Sequence, residues 1–329
     1  MKILITDGLA EEGINLFKSY PELEVDLRKG IPEEELKEVV GDYDAIIVRS
    51  ATNVTSDIID AAGIKLKVIG RAGIGVDNID VAAATKKGIV VMNTPEANAI
   101  TTAEHTIALM LSIARRVPQA HISLKSGLWE RGKFRGREIF GKTLGLIGLG
   151  NIGRLVAERA IGLKMKVIAY DPFLSPEAAE KLGVELVTFD DLIENSDVIS
   201  VHTPLTNETK NLLSKEAFKR MKKGVIVINC ARGGIINEQD LCEAINSGIV
   251  SGAALDVYEK EPPDKEHPLF TQHNDLVYTP HLGASTEEAQ TKISVAIAEQ
   301  IIDYFINGVV INAVNMSSIS LEHLKVIKP

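Results

Sequence analysis

The sequence predicts an α/β fold built from two doubly wound parallel sheets, and three observations support that prediction. Short apolar runs rich in Val and Ile alternate along the chain with segments of helical period, as in βαβ units. A glycine-rich turn, GLGNIG, stands directly between one such apolar run and a helical run. The length of 329 residues, 45% of them hydrophobic, suits two domains better than one.

The first half of the chain contains five predicted strands and one long helix. The strands are KILITD, LEVDL, DAIIVRS, LKVIGRAG and IVVMNT, and the helix is TTAEHTIALMLSIARRV. Thr101 and Glu104 have the spacing of a capping box, so we expect the helix to begin there. The segment from about 100 to 140 has no strand-like run and is predicted to connect the two sheets.

The second half contains seven predicted strands and a final helix. The strands are TLGLIGLG, KVIAYD, VELV, DVISVHTP, GVIVINCA, SGAALDVY and LVYT. The helix is expected to open at a Ser285 or Thr286 cap and to end at Gly308.

Composition argues against several classes of function. A net charge of -9 does not suit a nucleic-acid binder, which needs a basic surface. With only Cys230 and Cys242, neither a disulfide framework nor a cysteine-rich metal site is available, so no metal is expected. The first residues do not read as a signal peptide, and apolar runs such as IALMLSIA are too short to span a bilayer. We therefore expect a cytoplasmic globular protein without a nucleic-acid or membrane partner.

The turn GLGNIG predicts a dinucleotide site. It places Gly148, Gly150 and Gly153 after an apolar strand and at the start of a helix. The first glycine allows a tight turn, the second lets backbone N–H groups approach a pyrophosphate, and the third allows close helix packing. Asp171 ends the next strand, where a carboxylate accepts hydrogen bonds from ribose hydroxyls and repels a 2′-phosphate. The pattern therefore predicts NAD rather than NADP.

A second glycine-containing loop follows a strand of the first half. The segment GRAGIGVDNID carries Gly73 and Gly75, but no third glycine opens a helix. Two interpretations remain open: a loop whose backbone donors face a small anion, or a simple turn.

Three ionisable residues follow predicted strands of the second sheet, where ligands of such sheets gather. They are Arg232, Glu261 and His281. Hydride transfer from a 2-hydroxy acid needs a cation for the substrate carboxylate and a base for the hydroxyl proton. It also benefits from a carboxylate that orients the imidazole and raises its pKa. Each residue alone could be an ordinary surface or loop side chain, but their joint position downstream of a dinucleotide turn favours a catalytic role.

Longer motifs carry a resemblance to a known family. GRAGIGVDNID, WERGKFRG, GKTLGLIGLGNIGR, HTPLTNET, NCARGGIINE, GAALDVYEKEPP and TPHLGASTEEAQ resemble the D-isomer-specific 2-hydroxyacid dehydrogenases over nearly the whole chain. The resemblance implies that Arg232, Glu261 and His281 form the catalytic set, with His281 as acid and base. It further implies cofactor contacts from Asn151, Ile152, Asp171, Thr203, Cys230, Ala231, Asp256 and Gly283.

The resemblance also implies a domain arrangement. A Rossmann-type NAD domain, residues 99–284, would be inserted into a flavodoxin-like substrate domain formed by residues 1–98 and 285–329. Relatives pack the region around Trp129 against a second subunit, so a homodimer or higher homo-oligomer is expected, although Trp129 could instead fill a gap within its own domain. The end LEHLKVIKP resembles the start of a linker in longer relatives, which leaves a short enzyme and a truncated one as alternatives.

The substrate is argued separately, because this family acts on many hydroxy acids. Arg49 and Ser50 follow the strand DAIIV, where phosphoglycerate-type members hold the substrate phosphate, and an arginine suits a phosphate. Backbone N–H groups around Gly75 and Val76 are expected to meet the substrate carboxylate, with Asn78 shaping the loop.

A phosphorylated 2-hydroxy acid, 3-phospho-D-glycerate, is therefore the expected substrate, at the entry to serine synthesis. The alternatives are a glyoxylate or hydroxypyruvate reductase, another D-2-hydroxyacid dehydrogenase, and a non-catalytic NAD-sensing corepressor.

Overall fold

The chain divides into two units, each built on one parallel sheet. A computed structural model describes residues 1–272 and 276–316. The first unit comprises Met1–Asn98 and the segment from Ser285 onward, and the second comprises Ala99–Ala284. Every pairing between named strands of the described chain is parallel. The predicted class, α/β with two parallel sheets, is confirmed. The segment LEHLKVIKP lies outside the described residues.

The first unit has the flavodoxin-like strand order β2-β1-β3-β4-β5. Its elements are β1 (Lys2–Ile5), α1 (Glu11–Phe17), β2 (Glu24–Leu27), α2 (Glu33–Val39), β3 (Ala45–Val48), α3 (Ser56–Ala61), β4 (Val68–Arg71), α4 (Val81–Lys86), β5 (Val90–Met92) and a C-terminal helix (Glu287–Ile302). Alternate side chains of each strand face opposite layers. Ile3 and Ile5 pack in a core with residues of α1 and the C-terminal helix, whereas Leu4 packs with residues of α2, α3 and α4.

The second unit has the Rossmann order β8-β7-β6-β9-β10-β11 with β12 added at the edge. Its elements are α5 (Ala99–Arg115), α6 (Val117–Lys125), β6 (Thr143–Ile147), α7 (Asn151–Gly162), β7 (Lys166–Tyr170), α8 (Pro176–Glu180), β8 (Glu185–Leu186), α9 (Phe189–Asn195), β9 (Val198–Val201), α10 (Lys215–Arg220), β10 (Val225–Asn229), α11 (Glu238–Asn246), β11 (Val250–Leu255), α12 (Pro268–Gln272) and β12 (Val277–Tyr278). Leu144 and Leu146 pack with Val156 of α7 on one face, while Val201 packs with Phe218 on the other. The strand order reverses between β6 and β9, so ligands are expected at the carboxyl edge of this sheet.

Two helix starts test the capping predictions. The capping box at Thr101 is wrong: α5 begins at Ala99, because Ala99 is itself buried in the protein interior and the helix extends to include it. Glu104 instead pairs with Arg159 of α7 at 3.2 Å. At the C-terminal helix, Thr286 is the cap, since its hydroxyl accepts the backbone N–H of Ala289.

The C-terminal helix ends through one π-helical turn, and Gly308 follows in the left-handed region with φ 66°. Within the part of the chain that the structure describes, no helix combines the length and apolar character needed to cross a bilayer.

Candidate active site

The glycine turn after β6 has the geometry expected of a dinucleotide loop. Gly148 has φ 95°, and a Cβ there would lie 2.8 Å from the carbonyl oxygen of His202, so only glycine fits. A Cβ at Gly153 would collide with the carbonyl oxygen of Gly148. Gly150, the residue before α7, faces open space, and Asn151 and Ile152 begin the helix. The first N–H groups of α7 have no partner within the helix, and such groups are suited to bind a phosphate.

Asp171 lies directly after β7 and is fixed by the glycine turn. Its carboxylate accepts the backbone N–H of Leu149 at 2.8 Å and that of Phe173 at 2.9 Å. A carboxylate has about four acceptor positions, so two remain for ribose hydroxyls. The contact with Leu149 therefore links Asp171 directly to the glycine turn.

Unpartnered polar atoms lie beside this turn. The Thr203 hydroxyl is buried without a hydrogen-bond partner among the described residues, and so is Nδ1 of His202. The Thr203 side chain faces Gly148, because a Cβ on that glycine would meet its methyl group at 2.9 Å. Burial lowers the pKa of His202 to about 4, so its imidazole is neutral near pH 7. A buried hydroxyl without a partner fits a site that is completed by a bound cofactor.

Two further predicted cofactor residues follow β10. The Cys230 thiol is buried, and burial raises its pKa to about 12, so it contributes a neutral surface rather than a thiolate. Ala231 donates its backbone N–H to Oδ1 of Asn229 at 3.0 Å. Asn229 also donates its amide to the carbonyl oxygen of Arg232 at 2.8 Å, and so shapes the turn that presents Arg232.

Asp256 organises the turn that follows β12. Its carboxylate accepts the Thr279 hydroxyl at 2.5 Å, the Leu282 N–H at 2.7 Å and the Gly283 N–H at 2.8 Å. Its backbone carbonyl oxygen accepts the N–H of His281 at 2.9 Å. Burial opposes ionisation of Asp256, but hydrogen bonds from His105 and Thr279 outweigh it and keep the pKa below its ordinary value. Asp256 is therefore an ionised carboxylate that holds the turn through three hydrogen bonds.

His281 and Glu261 form a close pair on this turn. Nδ1 of His281 lies 2.7 Å from Oε2 of Glu261, and the histidine side chain is 47% exposed. Since a carboxylate only accepts, Nδ1 carries the hydrogen and Nε2 is left for a reacting group. Glu261 is itself held, because its Oε1 accepts the backbone N–H of Tyr258 at 3.1 Å. The hydrogen bond to Glu261 raises the pKa of His281, while the positive charge of Arg232 acts in the opposite direction.

The backbone of His281 is unusual. Its φ is 55°, in the left-handed region that residues other than glycine rarely adopt. Such a conformation persists only when its surroundings fix it, and it is common at functional sites. In the second unit, His281 contacts Glu261 and feels the positive charge of Arg232.

The predicted substrate residues of the first unit follow β3 and β4. Arg49 comes directly after β3 and Ser50 is exposed beside it. Burial lowers the pKa of Arg49, and the nearby charge of Asp7 opposes this shift. The guanidinium has no hydrogen-bond or ion-pair partner among the residues that the structure describes. A half-buried arginine in this state suits an anionic ligand.

Asn78 joins the two loops of this unit. Its amide donates to the carbonyl oxygen of Arg49 at 2.7 Å and to that of Thr52 at 2.5 Å. Gly75 and Val76 are half-buried in the loop that Asn78 anchors. Asn78 therefore links the loop after β4 to the loop after β3, and its role at a substrate site stays a prediction.

Sequence reasoning did not single out several residues around these sites. Asp7, after β1, accepts the backbone N–H of Arg49 at 2.6 Å and the Thr52 hydroxyl at 2.5 Å. Arg71 ends β4 and its guanidinium covers Gly73, where a Cβ would collide with it. The one signal in the sequence that could have pointed to Asp7 and Arg71 is their position at the carboxyl ends of parallel strands, because ligands bind at that edge of such sheets.

Across residues 1–272 and 276–316, no group of three or more His, Cys, Asp or Glu side chains could hold a metal ion.

Comparisons with known proteins agree with the dinucleotide geometry. The sequence model of the D-isomer specific 2-hydroxyacid dehydrogenase family, NAD binding domain, matches residues 107–283. Two curated relatives carry the name D-3-phosphoglycerate dehydrogenase. The protein of Archaeoglobus fulgidus is 52% identical over 329 residues, and that of Methanocaldococcus jannaschii is 50% identical over 330 residues. Each alignment covers 100% of this chain and 62% of the relative, so the chain spans about three fifths of their length.

Solved structures resemble the whole described fold. A protein of Thermus thermophilus superposes with a TM-score of 0.87 and is 33% identical in sequence. The superposition covers 95% of this chain and 100% of the Thermus chain. The similarity therefore extends over both units.

Proposed function

Because the chain belongs to the family of D-isomer specific 2-hydroxyacid dehydrogenases, we propose that it oxidises 3-phospho-D-glycerate to 3-phosphohydroxypyruvate and catalyses the reverse reduction. The cofactor is NAD, and the reaction is the first step of serine biosynthesis. The observation that carries the proposal is the His281–Glu261 pair, 2.7 Å apart, on a turn beyond the carboxyl edge of a dinucleotide-type sheet. Names of relatives that match this chain along its full length support the choice of substrate.

The proton steps are assigned to His281. In the oxidation, Nε2 of His281 takes the proton of the substrate hydroxyl, and Glu261 stabilises the imidazolium that forms. NAD, held by the glycine turn and Asp171, would supply the hydride acceptor for C2 of the substrate. Arg232 binds the substrate oxygens and stabilises negative charge beside the reacting carbon. In the reduction, protonated His281 returns the proton to the carbonyl oxygen.

The cofactor is assigned to the second unit. The first turn of α7, with Gly150, Asn151 and Ile152, binds the pyrophosphate, and Asp171 binds the ribose hydroxyls. Thr203, Cys230, Ala231, Asp256 and Gly283 line the nicotinamide side. The charge of Asp171 opposes a 2′-phosphate, which favours NAD over NADP.

The substrate phosphate is assigned to the first unit, which acts as the substrate-binding domain. Arg49 binds the phosphate with Ser50 beside it, and the loop that contains Gly75, Val76 and Asn78 receives the carboxylate. The half-buried guanidinium of Arg49 supports this assignment, because an arginine in a partly desolvated position binds anions strongly.

The direct test measures NADH oxidation by the purified protein with a panel of 2-oxo acids that includes 3-phosphohydroxypyruvate. We expect turnover of the phosphorylated acid with NADH and much slower turnover with NADPH. Tight NAD binding without turnover of any 2-oxo acid would contradict the proposal and favour a non-catalytic NAD sensor. Faster turnover of glyoxylate or hydroxypyruvate would assign the protein to another branch of the family.

Replacing Glu261 by Gln is expected to lower the pKa of His281. The amide oxygen of Gln still accepts the Nδ1 hydrogen, but the charge that stabilises the imidazolium is gone. Since oxidation requires neutral His281, the acid limb of kcat/KM should move to lower pH by about one unit. A pH profile of substrate oxidation checks this, and an unchanged acid limb would show that Glu261 does not set the charge state of His281.

The assembly is proposed to be a homodimer in the cytoplasm. Trp129 is 77% exposed, which argues against its filling a gap within its own unit. Ile122, Leu124 and Leu128 are also exposed in the same stretch, and such patches are typical of protein interfaces. Sedimentation equilibrium should give twice the chain mass of 35.7 kDa. Trp129→Glu should weaken the dimer. Ile64→Glu, which changes an exposed residue of the other unit, is the control and should leave the dimer intact. A wild-type protein that is monomeric at micromolar concentration would contradict the proposal.

A further inference from the structure

One face of α5 is polar where it meets the turn that follows β12. Thr102, His105 and Thr106 are spaced by three and four residues, so they share one side of the helix. The Thr102 hydroxyl donates to the carbonyl oxygen of Gly283 at 3.0 Å, and Thr106 hydrogen-bonds to the Cys230 thiol. The remaining buried face of α5 is mainly apolar, so a polar row there calls for a specific explanation.

His105 contacts two members of the site. Its Nε2 lies 3.2 Å from the Thr279 hydroxyl oxygen and 3.3 Å from Oδ1 of Asp256. Thr279 already donates its hydrogen to Asp256 at 2.5 Å, so towards His105 its oxygen accepts. The Asp256 carboxylate also only accepts. Both neighbours therefore require a hydrogen on Nε2 of His105, which fixes that nitrogen as a donor.

Asp256 connects His105 to the turn that carries His281. The Asp256 side chain is 1% exposed and that of His105 is 19% exposed, so water competes little for these groups. Asp256 also binds the backbone of three consecutive residues: His281 through its carbonyl oxygen, and Leu282 and Gly283 through its carboxylate. These contacts hold the turn in which His281 has φ 55°.

We propose that His105 is a positioning residue for His281: it orients the Asp256 carboxylate and the Thr279 hydroxyl, and the oriented carboxylate sets the electrostatic field on the imidazole, while the backbone bonds to Asp256 hold the turn itself. The proposal rests on the proposed function in one respect, the role of His281 as acid and base. His105 itself touches neither the glycine turn nor the Glu261 carboxylate among the described contacts.

The charges around His281 determine how the loss of His105 should change the pKa of His281. The groups that act on the His281 imidazole are Glu261, Asp256 and Arg232. The negative charge of Asp256 raises the pKa of His281. The hydrogen bond that His105 donates to Asp256 partly offsets the negative charge of Asp256. Removal of this donor therefore strengthens the effect of that charge on His281. Asp256 stays ionised without His105, because Thr279 and two backbone N–H groups still donate to it.

The experiment compares His105→Leu with His105→Gln, whose amide nitrogen replaces the Nε2 donor. The readout is the pKa of His281 in the whole protein, followed by NMR of labelled histidines, with His281→Asn used for assignment. For His105→Leu we expect a rise of about 0.3 to 1 unit and a parallel shift of the acid limb of kcat/KM. His105→Gln should restore values close to those of the wild type. If the Leu variant does not fold, His105→Asn, whose amide is too short to reach Asp256, replaces it with the same expectation.

The result that overturns the proposal is the same His281 pKa and the same pH profile in the Leu or Asn variant as in the wild type. Equal shifts in the Leu and Gln variants would also overturn it, since a role in packing alone does not depend on the donor. The NMR reading requires no substrate. A shifted His281 pKa in a protein that turns over no 2-oxo acid would thus support the coupling while the proposed function fails.

Discussion

Replacing His281 by Ala is expected to reduce kcat by roughly a hundredfold to ten-thousandfold, the usual contribution of a general acid and base. Nε2 of His281 is the nitrogen that its contact with Glu261 leaves free, and no other imidazole contacts Glu261 among the described residues. NAD affinity should change little, because the glycine turn and Asp171 lie on other strands of the sheet. Steady-state kinetics and an NAD-binding titration measure the two effects separately.

His281→Asn is the matched control for this substitution. Asparagine tolerates φ values near 55° better than most residues, so the turn bound to Asp256 should persist. The variant should therefore lose activity as fully as His281→Ala while keeping the melting temperature of the wild type. If either variant turned over substrate at the wild-type rate, His281 would not be the acid and base.

Replacing Arg49 by Ala is expected to reduce kcat/KM for 3-phosphohydroxypyruvate by roughly tenfold to a thousandfold. Hydrogen bonds to charged groups contribute about 1.5 to 3 kcal/mol each, and an arginine binds a phosphate through one or two of them. Unphosphorylated hydroxypyruvate lacks the group that Arg49 binds, so its kcat/KM should change by less than about threefold.

Arg49→Lys separates charge from geometry. Lysine keeps the positive charge but lacks the planar pair of donors, so it should recover only part of the selectivity. The backbone N–H of residue 49 donates to Asp7 in any variant, and the loop after β3 is therefore expected to keep its shape. Equal losses for both substrates in Arg49→Ala would show that Arg49 supports the loop and does not recognise the phosphate.

The elements that the sequence predicts best are those with a strong local signal. Val- and Ile-rich runs became β3, β9 and β10, whose residues are all buried, as expected for central strands of parallel sheets. The run VELV gave only the two-residue strand Glu185–Leu186, which lies at the edge of the sheet and pairs with β7 alone. The start of α5 was misplaced by two residues, since burial of Ala99 outweighed the capping signal at Thr101.

The residues of the candidate site likewise fall into those with a local sequence signal and those without one. The three glycines, Asp171 and the charged residues after strands could be found in the sequence, because their spacing has a direct physical meaning. The contacts of His105 with Asp256 and of Asp7 with Arg49 join residues far apart in the chain. No periodicity or local motif encodes them, because only the packing of helix and strand decides which polar side chains meet. The left-handed backbone of His281 is likewise set by Asp256 rather than by its own sequence neighbours.

The most direct test of the central claim is the ratio of kcat/KM with NADH for 3-phosphohydroxypyruvate and for hydroxypyruvate in the wild-type protein. We expect this ratio to exceed about ten, as one or more charged hydrogen bonds to the phosphate require. A ratio near one would contradict the claim and would leave a 2-hydroxyacid dehydrogenase that acts on some other acid.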